Sequence, residues 1–119
     1  MKKDIKILIV DDSEFMRVFL KDVLSMIGFS KFIECVNGEE CLKKYFEEKP
    51  DLILLDIVMP VLDGMEVLKK IGREAKIVAI SAMGQEKIIE EAKQYGARGY
   101  IVKPFVKAKI EEELEKVLS

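Results

Sequence analysis

Leu52-Ile53-Leu54-Leu55-Asp56 decides how the rest of the chain is read. Four bulky apolar residues in a row, without alternation, need cover on both faces, as a strand inside a parallel sheet does. Taken from Asp51 to Asp56, it is the most apolar run in the chain and is assigned the central position. It closes on a carboxylate. Ile7-Leu8-Ile9-Val10 likewise ends in Asp11-Asp12, Ile77-Val78-Ala79-Ile80 ends in Ser81, and Tyr100-Ile101-Val102 ends in Lys103-Pro104. If these runs are parallel strands of one sheet, the polar residues lie along its carboxyl edge, where open α/β sheets bind ligands.

The intervening segments carry helical spacing. Ser13 to Ile27 places Met16, Leu20, Val23 and Ile27 on one face, with Gly28 as the stop. A shorter strand is expected over Phe32 to Val36. Asn37 then caps a helix, with Glu40 as its capping-box partner, an apolar face of Leu42, Tyr45 and Phe46, and an end at Lys49-Pro50. After the central strand a loop, Ile57 to Gly64, leads to a helix with Met65, Leu68 and Ile71, stopped by Gly72. Lys76 to Ser81 is the fourth strand, and Glu86 to Tyr95 a helix with Ile88, Ile89 and Ala92 inward, closed by Gly96. Gly99 to Lys103 is the fifth strand. A last helix, Lys107 to Leu118, buries Ile110, Leu114 and Val117 and pairs Glu112 with Lys116. Five alternations of strand and helix predict an α/β fold, a doubly wound parallel sheet with helices on both faces. No linker or repeat divides residues 1–119. One domain is expected, with no effector domain attached.

Composition narrows the function. Twenty basic and 22 acidic residues leave a net charge of -2, so no electrostatic case exists for nucleic acid or an anionic membrane. No apolar run is long enough to span a bilayer, and the N-terminus lacks a signal-peptide cleavage site; a cytoplasmic protein is expected. Cys35 and Cys41 form no C-x-x-C pair and are read as packing residues. The chain has no histidine. Ser-His-Asp and Cys-His catalysis are therefore excluded, and any phosphohistidine must come from a partner.

Gathering Asp11, Asp12 and Asp56 is costly, since two like charges about 4 Å apart repel by about 4 kcal/mol at an effective dielectric of roughly 20. Lys103 offers one compensating charge, and a divalent ion would offer two more. An all-oxygen ligand set favours Mg2+ or Mn2+. Singly, each residue has a plainer reading: Asp11-Asp12-Ser13 as a helix start, Asp56 as a strand end. Their recurrence at successive strand ends carries the signal.

At this point the residues resemble a known family. Asp11-Asp12-Ser13, Asp56 with Met59-Pro60 and Asp63-Gly64, Ser81-Ala82, and Lys103-Pro104-Phe105 look like the receiver domain of bacterial response regulators. The likeness covers essentially the whole chain. It is closest to the single-domain CheY-like subfamily, with some support from Ser13-Glu14-Phe15-Met16-Arg17 and Ser81-Ala82-Met83-Gly84-Gln85. The resemblance implies a flavodoxin-like, five-stranded sheet of order 2-1-3-4-5 with five helices. It implies that Asp56 is the nucleophile that takes a phosphoryl group from a histidine kinase. Asp11, Asp12, Asp56 and the carbonyl of Val58 would hold Mg2+. Ser81 and Lys103 would contact phosphoryl oxygens, Pro104 would fix a turn through a cis bond, and Tyr100 would be an aromatic switch turning inward after Ser81 moves.

The same resemblance implies a phospho-acceptor switch, not a multiple-turnover enzyme, in a two-component or phosphorelay pathway related to chemotaxis. It places an unidentified downstream protein on the face of the fourth helix, fifth strand and fifth helix, with Lys87, Glu91, Tyr95, Tyr100, Lys107 and Lys109 as exposed candidates. Val58 and Met83 are apolar where many family members carry polar groups that orient water, so slow self-dephosphorylation is expected. Three rivals make different predictions. An FMN-binding flavodoxin would be coloured, but Asp11-Asp12-Ser13-Glu14 would repel its phosphate. An aspartate-nucleophile phosphatase would turn over phosphate esters, but usually spaces its aspartates two apart and adds a cap. An unphosphorylated interaction module would take no phosphoryl group from a small donor.

Overall fold

Period-two alternation inside each strand, with both faces apolar, sends successive residues into two separate cores. The computed structural model describes residues 1–59, 61–82 and 85–119 and shows this sorting. Its elements are β1 (Lys6–Val10), α1 (Glu14–Ile27), β2 (Lys31–Cys35), α2 (Gly38–Glu48), β3 (Leu52–Asp56), α3 (Gly64–Ile71), β4 (Ile77–Ala82), α4 (Glu86–Gln94), β5 (Gly99–Lys103) and α5 (Lys107–Leu118). All strand pairs are parallel and the order is β2-β1-β3-β4-β5, so the most apolar strand is central.

Ile7, Ile9, Leu52, Leu54, Val78, Ile80 and Ile101 face α1 and α5, where Leu20, Leu24, Ile110 and Leu114 complete one core. Leu8, Val10, Ile53, Leu55, Ile77 and Ala79 face the opposite way and pack with Cys41, Val67, Leu68, Ile71 and Ala92 of α2, α3 and α4. Leu54 and Leu55 are neighbours in sequence, yet each is fully buried in a different core. Burying one such side chain contributes about 1.5–3 kcal/mol. Cys35 and Cys41 are both buried and unbridged, as packing residues would be.

Local chemistry sets the helix starts. Ser13 Oγ accepts from the Met16 N–H at 3.3 Å, Asn37 Oδ1 from the Glu40 N–H at 2.8 Å, and Asp63 Oδ1 from the Glu66 N–H at 3.1 Å. Gly28, with φ 124°, ends α1, and Lys49, in the left-handed region at φ 49°, ends α2.

Several expectations need correction, among them the fourth strand, which runs one residue later than expected, Ile77–Ala82 rather than Lys76 to Ser81. Strand β2 starts and ends one residue earlier than expected, because its pairing with β1 runs from Lys31 to Cys35. The inner face of α2 is Cys41, Leu42 and Tyr45; Phe46 lies past its edge and is 63% exposed. Tyr95 packs against the α3 side core, with the Lys69 ammonium 5.4 Å from its ring, and is not a freely exposed surface residue. Among the described residues no helix is long and apolar enough to cross a membrane. Pro60, Met83 and Gly84, singled out in the motifs above, lie outside the described residues.

Candidate functional site

Because all five strands run in one direction, their carboxyl ends open on a single edge. Asp11 and Asp12 leave the end of β1, Asp56 is the last residue of β3, Ser81 lies near the end of β4, and Lys103 closes β5. The register fixes their relative heights: Asp56 pairs with Ile80, Ser81 with Val102, and Ala82 with Lys103.

Carboxylate oxygens of Asp11, Asp12 and Asp56 lie within 4.8 Å of one another. Asp11 and Asp56 are buried, and Asp12 is at the solvent side. The Lys103 ammonium bridges the two buried members, 3.5 Å from Asp11 Oδ2 and 3.4 Å from Asp56 Oδ2. Lys103-Pro104 is a cis peptide bond. Asp11 Oδ1 accepts the Ser13 N–H at 2.9 Å, and Asp56 Oδ1 accepts the Val58 N–H at 3.1 Å. Neither lysine nor amide fully offsets the crowding. Burial first, and the Asp11 charge second, push the Asp56 carboxyl from 3.8 to about 6, against the pull of Lys103 and the Val58 N–H.

Two glycines let the backbone close around this pocket. A Cβ on Gly64 would stand 2.5 Å from the Asp56 carbonyl oxygen and 2.5 Å from Ile57 Cα. One on Gly38 would stand 2.1 Å from the Leu62 oxygen, which accepts the Gly38 N–H at 2.8 Å. Leu62 and Ile57 are thus pressed onto the starts of α2 and α3, respectively.

The donor set suits a hard divalent cation: three carboxylates share one ammonium, and every side-chain ligand is oxygen. Ser81 lies near the end of β4. Its hydroxyl is buried and has no hydrogen-bond partner among the described residues, a costly state for a hydroxyl. Tyr100, by contrast, points away. Its side chain is half exposed, with the Lys93 ammonium 4.8 Å from the ring centre, and its N–H donates to Glu113 Oε1 at 3.1 Å. Asp11, Asp12, Asp56 and Lys103 therefore share one pocket, the Val58 N–H reaches Asp56, and no hydrogen bond joins the Ser81 hydroxyl to these groups among the described residues. Arg17 received no role from the sequence although it stands within a quoted motif; its guanidinium reaches the Asp11 carbonyl at 2.7 Å.

The family model described as response regulator receiver domain matches residues 7–115, and the chain belongs to that family. It is a response regulator of two-component signalling, and similar curated proteins serve chemotaxis. The chemotaxis protein CheY of Thermotoga maritima is 44% identical over 115 residues, 94% of this chain and 96% of that protein. CheY of Bacillus subtilis is 44% identical over 117 residues, 96% of this chain and 98% of that one. Among solved structures, a CheX–CheY–BeF3–Mg2+ complex from Borrelia burgdorferi superposes with a TM-score of 0.90 at 32% identity, covering 97% of this chain and 90% of that one.

Proposed function

We propose that Asp56 accepts a phosphoryl group from a phosphohistidine of a histidine kinase and that the resulting acyl phosphate switches partner binding. A carboxylate oxygen of Asp56 attacks phosphorus in line, and the P–N bond breaks. Its electron pair stays on the imidazole, which takes up a proton. Phosphoryl transfer of this kind needs position and charge neutralisation more than covalent help. Asp11, Asp12, Asp56 and the Val58 carbonyl would hold Mg2+, which supplies neutralisation of phosphoryl oxygens and of the crowded carboxylates. Mg2+ is preferred to Mn2+ because the Borrelia burgdorferi relative was solved with Mg2+. Lys103 leaves its two carboxylates to pair with a phosphoryl oxygen, and the Ser81 hydroxyl donates to another. That contact would draw Ser81 and its strand end towards the phosphate and make room for Tyr100 to turn inward. Such a switch is a two-state equilibrium biased by contacts present only with phosphate bound.

Residues 1–119 are read as one receiver domain, a phospho-acceptor that takes part in its own phosphorylation and dephosphorylation but turns over no external substrate. A cytoplasmic location goes with this reading. Pro104 fixes the turn beside Lys103. The downstream partner would bind on α4, β5 and α5, beside Tyr100; the presence of CheX in the Borrelia burgdorferi complex supports a protein partner. The single observation that carries the proposal is the convergence of three carboxylates within 4.8 Å, two of them bridged by Lys103. Incubation with acetyl phosphate and Mg2+ should add one phosphoryl mass, mapped to Asp56 and absent from Asp56→Asn. An unmodified wild-type chain would refute the proposal and favour a pure interaction module.

A further inference from the structure

Arg17 sits one helical turn beyond the Ser13 cap, and its side chain is only 12% exposed. Its Nη1–H donates to the main-chain carbonyl of Asp11 at 2.7 Å, and its Nε–H donates to Glu34 Oε1 at 2.9 Å. Glu34 Oε2 in turn accepts from Lys21 Nζ at 2.8 Å. The guanidinium therefore ties the end of β1 to β2 through two rigidly spaced donors, a geometry that a lysine cannot copy.

The consequence for Asp11 is complete fixation. Its N–H donates to the Cys35 carbonyl at 3.1 Å, its carbonyl accepts from Arg17, Oδ1 accepts from the Ser13 N–H, and Oδ2 faces Lys103. The carbonyl held by Arg17 belongs to the peptide joining Asp11 to Asp12. The orientation of that peptide sets where both carboxylates point.

We infer that Arg17 is a positioning residue for the divalent cation: its fork holds the Asp11–Asp12 peptide against β2 and thereby places two of the pocket's carboxylates. The inference rests on the proposed reading of the pocket as a Mg2+ site. Groups that orient metal ligands from behind typically change metal affinity about 10–100-fold when removed.

Charge and geometry make opposite demands, which gives the test its edge. Arg17 is a cation near a cation site, so on charge alone its loss should tighten Mg2+ binding. If the fork positions the ligands, its loss should weaken binding. Calorimetric titration of Mg2+ into the full chain would compare wild type, Asp12→Ala, Arg17→Met and Arg17→Lys, with circular dichroism confirming the fold of each. The expected result is Mg2+ binding by wild type, its loss in Asp12→Ala, and at least about tenfold weaker binding in Arg17→Met. Arg17→Lys keeps the charge and the helix, so it carries the test if the methionine variant does not fold; binding about tenfold weaker than wild type is expected there too. Wild-type affinity in Arg17→Lys, or equal or tighter binding in Arg17→Met, overturns the inference while leaving the pocket's reading intact. A wild-type chain that takes up no Mg2+ overturns both.

Discussion

Asp56→Asn should make the metal-free protein more stable at neutral pH while abolishing its capacity for phosphorylation. In the folded state burial and the Asp11 charge push this carboxyl from 3.8 to about 6. In the unfolded chain it returns to about 3.9. The folded protein thus binds this proton more tightly than the unfolded one. The favourable contribution is fully present below the unfolded value and is lost as pH rises through about 6, because ionised Asp56 is held in a crowded, poorly solvated place. Each tenfold change in proton affinity is worth about 1.4 kcal/mol, so the ceiling is about 3 kcal/mol. Asp56 is buried, and relaxation with water penetration around a buried charge reduces the expected effect to about 1–2 kcal/mol.

Asparagine carries no charge at any pH and escapes this penalty. Urea denaturation in the presence of EDTA should show Asp56→Asn more stable than wild type by about 1–2 kcal/mol at pH 7.5, with the gap narrowing towards about pH 4.5. Mg2+ should close the gap from the other side. At about one hundred times its dissociation constant it adds about 2.7 kcal/mol to a state that binds it, and the variant, lacking one carboxylate, should gain less. A gap that does not change with pH, or a variant less stable than wild type at pH 7.5, would refute the reasoning.

Three further outcomes are expected. Ser81→Ala should leave metal-free stability unchanged or raise it by up to about 1 kcal/mol, since the hydroxyl is buried without a partner among the described residues; the same change should weaken the response to beryllofluoride in amide chemical-shift mapping. Gly38→Ala should destabilise by about 1–3 kcal/mol in thermal or urea unfolding, because its Cβ would stand 2.1 Å from the Leu62 oxygen and force the loop off α2. Val58 is 59% exposed beside Asp56, and replacing it with Asn together with Met83→Glu should hasten loss of the phosphoryl group, measured by timed mass spectra; unchanged decay would remove the explanation offered for slow self-dephosphorylation.

Strand runs and helix caps were legible because they depend on neighbours within a few residues. Leu52 to Leu55 can satisfy an apolar quartet only between two covered faces, and Ser13 and Asn37 cap helices through amides three positions on; the Asp63 cap was not read from the sequence. The convergence of Asp11, Asp12, Asp56 and Lys103 was legible for a related reason: in a parallel sheet every strand delivers its last residue to the same edge, so these four could be grouped before any distance was known. Phe46 and Tyr95 were misread because periodicity gives the direction of a helix face but not the edge of the neighbouring core.

From the sequence came the order of elements, the kinds of side chain available for chemistry, and the lack of any histidine that could itself carry a phosphoryl group. Tertiary structure alone decided how those side chains meet. It brought Lys103 between Asp11 and Asp56 across 92 and 47 residues of chain, left Ser81 without a partner among the described residues, left Tyr100 exposed, and set Arg17 behind the Asp11 carbonyl. The division is physical: turns, caps and strand periods are local energies, whereas desolvation, charge crowding and an unmet hydrogen bond exist only once distant segments pack together.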